Sequence, residues 1–297
     1  MSGLQVDLPW NLDGADVCRV VQRFIEACPN GLPAKIIIDF RGLGFIHPAG
    51  VTFLSNFIHW LRRAKGVTVD LAGYERLNDA HCFLDDSLFF EQHLGRRLRP
   101  NARPRTTTKP LRYVHHEEIH AWLRLDLLPW LAAAVGQAEQ DLDPFQVCVS
   151  EIFNNISDHS TLDIGSIFVQ HFPNLETVRI AVGDFGRGIP ALVRTVRPDI
   201  LDADAIILAT EPGFTTKSNP RNQGIGLEYL LTTVVGTNRG RVTIHSLNGH
   251  VSFYNLRNQI VHQKLQICGF CPGTTLDITL RTDSIDRIIE EPEELEW

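Results

Sequence analysis

Ala34-Lys-Ile-Ile-Ile-Asp-Phe40 is the stretch that most limits the fold. A continuous β-branched run offers no polar face to solvent, so it reads as a strand covered on both sides. Its neighbours supply the cover. Residues 13–28 repeat apolar side chains at Val17, Val20, Val21, Phe24 and Ile25, which is helical spacing, and Pro29-Asn30-Gly31 ends that helix. Leu4 to Leu8 alternates like an edge strand. Pro48 suits the first turn of an amphipathic helix over 48–64. Val67 to Leu71 is a second buried strand, and 78–94 is helical again. The order β-α-β-α-β-α predicts a parallel or mixed sheet with helices against it.

A chain of 297 residues holds one large domain or two ordinary ones, and a hydrophobic fraction of 43% is enough for packed cores. The net charge of −7 argues against a general nucleic-acid or anionic-membrane binder. Residues 96–110 are basic and rich in Pro and Thr, and they read as an exposed linker; with no aromatics interleaved they make a poor nucleic-acid site. No apolar run approaches a membrane span, and no basic segment followed by an apolar stretch marks a leader, so a cytoplasmic protein is expected. The six cysteines sit mostly among apolar residues, as reduced core thiols do. Cys268-Gly-Phe-Cys271 is a lone CxxC, without the second pair that common zinc spacings require. His116 and His120 stand four apart beside His115, Glu117 and Glu118, but no protease motif accompanies them and a solvated helix face is expected.

The second half carries the chemistry. Asp143 and Pro144 open a helix over 144–160 with an apolar stripe of Phe145, Cys148, Val149, Ile152 and Ile156. Glu151 and Asn155 stack on one face, a carboxylate suited to deprotonating a hydroxyl or water and a carboxamide suited to holding magnesium. Residues 165–171 and 177–182 read as strands, the second running into Gly183-Asp-Phe-Gly-Arg-Gly-Ile-Pro190. There Asp184 can accept a hydrogen bond from an adenine amino group, and Gly186 and Gly188 permit a tight turn. Helical residues 202–210 lead to Gly213-Phe-Thr-Thr-Lys-Ser-Asn-Pro-Arg-Asn-Gln-Gly-Ile-Gly-Leu227, a polar loop with Lys217 and Arg221 that enters a helix over 225–236. A helix start with Gly224 and Gly226 is a ready anion site. Strands follow at 241–246, 251–256 and 273–280. Taken singly, each of these is also a solvated helix face, a tight turn or a surface loop.

Taken in order, Glu-x-x-x-Asn, Asp-x-Gly-x-Gly, Gly-Phe-Thr-Thr-Lys…Gly-x-Gly-Leu and Gly-Thr-Thr resemble a GHKL-type ATP-binding domain over residues 111–282. The superfamily spans gyrase, chaperone and mismatch-repair ATPases, histidine kinases and anti-sigma-factor serine kinases. Ile36-Ile-Ile-Asp-Phe-Arg-Gly-Leu-Gly-Phe-Ile-His-Pro-Ala-Gly50 resembles the central segment of a STAS domain. The two resemblances imply an α/β chain. A STAS-like β/α domain occupies 1–97, a basic linker 98–110, a GHKL α/β sandwich 111–282, with a mixed sheet and helices on one face, and an acidic tail 283–297.

The GHKL resemblance implies ATP and Mg2+ as cofactors. It makes Glu151 the general base, Asn155 the magnesium ligand and Asp184 the reader of the adenine amino group, with Gly186, Gly188 and Thr274 about the base. Gly224, Gly226 and Leu227 would give N–H groups to the phosphates, and 211–223 would form a lid from which Lys217 reaches them. Three activities are compatible: ATP hydrolysis or ATP-gated switching, serine/threonine phosphorylation of a separate STAS protein, and nucleotide binding without chemistry. The STAS-like module would dock a protein partner, and a homodimer is left open. Family members switched by phosphate carry Ser or Thr where this chain has Ala49, so that switch is chemically impossible here, and a docking surface around His47 and Gly50 is expected instead.

Overall fold

The computed structural model describes residues 3–113, 118–159, 165–215, 225–267 and 269–285. Leu4–Asp7 (β1), Lys35–Asp39 (β3) and Thr68–Ala72 (β5) form a parallel sheet in the order β1-β3-β5, and Asn11–Leu12 (β2) pairs with Phe45–Ile46 (β4). The β-branched run is therefore central, as its composition requires. Ile36 and Ile38 are fully buried and Ile37 half-buried. Gly14–Glu26 (α1) starts with a capping box in which Asp13 and Asp16 each satisfy the other's free N–H. Pro48–His59 (α2), Asp79–Asp86 (α3) and Phe89–Leu94 (α4) complete the module.

The second sheet has seven strands in the order β11-β10-β9-β12-β8-β7-β6. These are Thr108–Tyr113 (β6), Gly165–Phe172 (β7), Thr177–Asp184 (β8), Arg241–Leu247 (β9), Gly249–Leu256 (β10), Gln259–Lys264 (β11) and Cys271–Arg281 (β12). Every neighbouring pair is antiparallel, where a mixed sheet was expected. The reason lies in the connections. β7–β8, β9–β10 and β10–β11 are hairpins with short turns, which parallel strands cannot use.

The second half's own helices keep to one face of this sheet, and the N-terminal module covers the other. Val178, Ile180 and Val182 of β8, with Leu276, Ile278 and Leu280 of β12, face a core built with Ile119–Trp122 (α5), Leu128–Val135 (α6), Asp143–His159 (α7) and Ile225–Leu230 (α10). The alternate residues face the N-terminal module. Its α2 lies across β7 and β8 and is buried from Pro48 to Ile58, so it is covered all round rather than amphipathic. Its polar side chains reach the sheet: Thr52 Oγ1 donates to Ala181 O at 3.1 Å, Asn56 Nδ2 to Gly183 O at 2.7 Å, and Ser166 Oγ to Asn56 Oδ1 at 2.6 Å. Phe168, Phe185, Leu111 and Cys271 from the second half belong to the same apolar core as Ile36, Phe53 and Phe57.

The start of α2 thus meets the chain's own sheet. Arg179 Nη1 lies 3.4 Å from His47 Nδ1, and a Cβ on Gly50 would come within 2.2 Å of Leu12 O. The basic segment is anchored too. Arg99 pairs with Asp85 and Asp86 and donates to Cys82 O, Ala102 is buried, and β6 begins at Thr108 on the sheet edge. Pro110 is tolerated there because the pairing with β7 shifts register between Lys109 and Arg112. Among the described residues no helix is long and apolar enough to cross a membrane.

Candidate functional site

Asp184, Thr274 and Ser246 are Cα partners in one row across β8, β12 and β9. Residues of like parity on these strands (Val182, Leu276, Ile244) face the core of α7 and α10, so the row lies on that face at one end of the sheet. The strand that ends in Asp184 turns sharply afterwards. Gly186 N–H donates to Asp184 Oδ1. Gly188 takes φ +78 ahead of the short helix Ile189–Val193 (α8). A Cβ on Gly188 would sit 2.9 Å from Ser246 Oγ and 3.0 Å from Gly273 O. Glycine is required there by both the left-handed backbone and the close approach of β9 and β12.

Ser246 ties these parts together. Its Oγ donates to Gly273 O at 2.7 Å, accepts from Ile189 N–H at 2.9 Å, and lies 2.9 Å from Thr274 Oγ1. Nothing local in the sequence marks this serine; it is found only once β9 is placed beside β12.

Burial pushes the Asp184 carboxyl up from 3.8 to about 7, against the lowering effect of the Gly186 and Thr274 backbone hydrogen bonds. Such a group binds its proton more tightly in the folded chain than in the unfolded one. The stabilisation is complete below about pH 4 and is lost as pH rises through about 7. Thermal midpoints of the nucleotide-free protein are expected to fall more steeply from about pH 5 to about pH 8 for wild type than for Asp184→Asn, which does not titrate. Equal slopes would show that Asp184 is ionised throughout.

Glu151 stands half-buried on α7, and Asn155 follows one turn later in the same helix, its side chain outside the described residues. α7 packs on α10 and its continuation. Gly226 is buried and Leu227 half-buried at the start of α10. Residues Asp202–Ala209 (α9) lead into the loop through a turn in which Phe214 N–H meets Glu211 O at 3.2 Å and Gly213 has φ +72. Lys217, Gly224, His115, His116 and Cys268 lie outside the described residues, as do residues 286–297; His120 is exposed. The structure therefore places Asp184, Gly186, Gly188 and Thr274 together, and sets α7 against the helix that carries Gly226 and Leu227.

No protein-family model and no curated protein matches the chain. Among solved structures, the ATPase and transducer domains of DNA topoisomerase II from Balamuthia mandrillaris are similar to it at 14% identity with a TM-score of 0.24. The similarity covers 41% of this chain and 32% of that one. A likeness of that size fixes neither fold nor function, and the chain's own residues carry the reading that follows.

Proposed function

We propose that the second half of the chain binds ATP with Mg2+ on the helix-covered face of the seven-stranded sheet and uses it as a hydrolysed or gating ligand. The observation that supports this most is the row Asp184–Thr274–Ser246, a buried carboxylate at a strand end framed by hydroxyls and a glycine turn. Its chemistry suits an adenine edge: a carboxylate accepts from an amino group, and the neighbouring hydroxyls both donate and accept. Glu151 on the adjoining helix would take the proton of the attacking hydroxyl or water. Asn155 would hold the metal, and the N–H groups of Gly224, Gly226 and Leu227, with Lys217, would meet the phosphates. Bound Mg2+ would neutralise phosphate charge.

In this reading the N-terminal module would sense the outcome. Asp184 faces the site, whereas the next residue, Phe185, points through the sheet into the module, with ring centroids 5.6 Å from Phe53 and 5.9 Å from Trp60. A shift of the turn after β8 would be felt by α2. In a kinase reading Thr52 and Ser55 are not acceptors, because both are fully buried. A protein partner of the module, recognised through exposed residues such as Trp10 and Phe45, belongs to this proposal.

Asp184→Asn, which keeps an acceptor for Gly186 N–H, is expected to weaken ATP binding by roughly 1–3 kcal/mol, the range for a hydrogen bond to a charged group. Titration calorimetry measures it. Wild-type affinity in the variant would remove Asp184 from the adenine site.

A further inference from the structure

On the opposite face of the same strands, three metal donors converge in a buried cluster, with a second cysteine beside them. Cys18 comes from α1, His245 from β9, His250 from β10, and Cys271 from the start of β12. His245 and His250 are directly opposed across the hairpin, with their Nδ1 atoms 2.9 Å apart. The donor atoms of Cys18, His245 and His250 all lie within 4.8 Å of one another. Cys271 lies beside the cluster, its Sγ 3.3 Å from His245 O and 3.9 Å from Thr275 Oγ1. All four residues are buried.

The tautomers sharpen the case. His250 Nε2 is 3.1 Å from Gly269 O. A carbonyl only accepts, so that nitrogen carries the hydrogen and the neutral ring turns its Nδ1 lone pair inward. A carbonyl holding the far nitrogen is also how metal-binding histidines are commonly oriented. His245 Nδ1 points at the same place. Without a cation, one ring must donate to the other; with one, both lone pairs and the thiolates share it.

We propose that Cys18, His245 and His250, with Cys271 as fourth donor, bind a structural Zn2+ ion. Two thiolates and two imidazoles are a donor set that Zn2+ prefers, and tetrahedral bonds of about 2.0–2.3 Å place donors roughly 3.3–3.8 Å apart. The imidazoles need open by only a few tenths of an ångström from their 2.9 Å separation, and the Cys271 thiol turns from His245 O to join them. Each bound thiol releases its proton to solvent. The wall around the site is tight: a Cβ on Gly269 would lie 2.7 Å from Cys18 Cβ, a Cβ on Gly14 would lie 3.2 Å from His245 Nε2, and Phe270 N–H donates to Cys18 O at 3.1 Å. The ion would pin α1 of the N-terminal module to the sheet. It would also lie behind the candidate nucleotide site, since His245 precedes Ser246 and Cys271 precedes Gly273. The proposal stands on the cluster alone, whether or not ATP binds.

The test uses the full chain, purified under reducing conditions from zinc-supplemented medium and desalted. Metal analysis is expected to give one zinc per chain, with Cys18→Ala and His250→Ala at background and Cys82→Ala unchanged. Metal-free protein titrated with Co2+ is expected to show the strong visible bands of a tetrahedral site and thiolate-to-cobalt charge transfer, saturating at one equivalent. Charge transfer is expected to weaken in Cys271→Ala. If the alanine variants fail to fold, the wild-type cobalt spectrum decides. Absence of tetrahedral bands and of charge transfer in reduced wild type, or full zinc retention in a folded Cys18→Ala, would overturn the proposal.

Discussion

Replacing Glu151 with alanine is expected to lower phosphate release or transfer by roughly 10²–10⁴-fold, the usual span for general-base assistance. ATP affinity should change little, because a base acts in the transition state more than in the ground state. Asn155→Ala should behave differently. A residue that holds the metal contributes before chemistry, so its loss should weaken binding in the presence of Mg2+ and leave metal-free binding unaltered. Affinity with and without Mg2+, together with phosphate release, separates the two residues one helical turn apart. Unchanged turnover in Glu151→Ala would remove this carboxylate from the chemistry, and an absence of turnover in the wild type would reduce the protein to a nucleotide binder.

The largest structural effect is expected from Phe185→Ala. Phe185 is 2% exposed and packs in the core common to both halves, among Phe53, Phe57 and Trp60. Removing a buried ring costs about 3–5 kcal/mol through lost transfer energy and the cavity left behind. Because the ring joins α2 to the residue after Asp184, ATP affinity should fall along with stability. Urea unfolding monitored by tryptophan fluorescence measures the first and calorimetry the second. A loss under about 1 kcal/mol would mean that the site collapses easily and that the two halves are only loosely joined.

The parts of the fold that were legible in the sequence are those with local signals. The helices at Gly14–Glu26 and Asp143–His159 and the strands at Lys35–Asp39 and Thr177–Asp184 follow from periodicity and caps. What escaped depends on partners distant in the chain. Gln259–Lys264 is an edge strand with mostly exposed polar side chains, so no apolar alternation announces it. Thr108–Tyr113 hides in a basic, proline-bearing stretch that only an edge position makes acceptable as a strand. The apolar residues of α2 looked like one face of an amphipathic helix because the second surface that covers them begins more than a hundred residues later.

The candidate site divides in the same way. Asp184, Gly188 and Thr274 announce themselves by turn chemistry and strand ends, but Ser246 acquires a role only from the antiparallel pairing of β9 with β12. The cysteine–histidine cluster is still less visible. Its members come from separate segments, and only His245 and His250, with four residues between them, stand at a spacing that a sequence rule flags. Spacing rules drew attention to Cys268 and Cys271, whereas the donors that converge are Cys18, His245 and His250.

Competitive selectivity for the base tests the central claim most directly. An adenine amino group donates to a carboxylate, whereas guanine places a carbonyl at that position and would set two acceptors against each other. Calorimetric titration of the full chain with ATP and with GTP, both with Mg2+, at a pH above 7 where Asp184 is ionised, is expected to favour ATP by roughly 10–100-fold. The preference should shrink in Asp184→Asn, whose amide can donate to a carbonyl. Equal affinity for the two nucleotides, or no binding of either, would contradict the placement of an adenine nucleotide at this row of β8, β12 and β9.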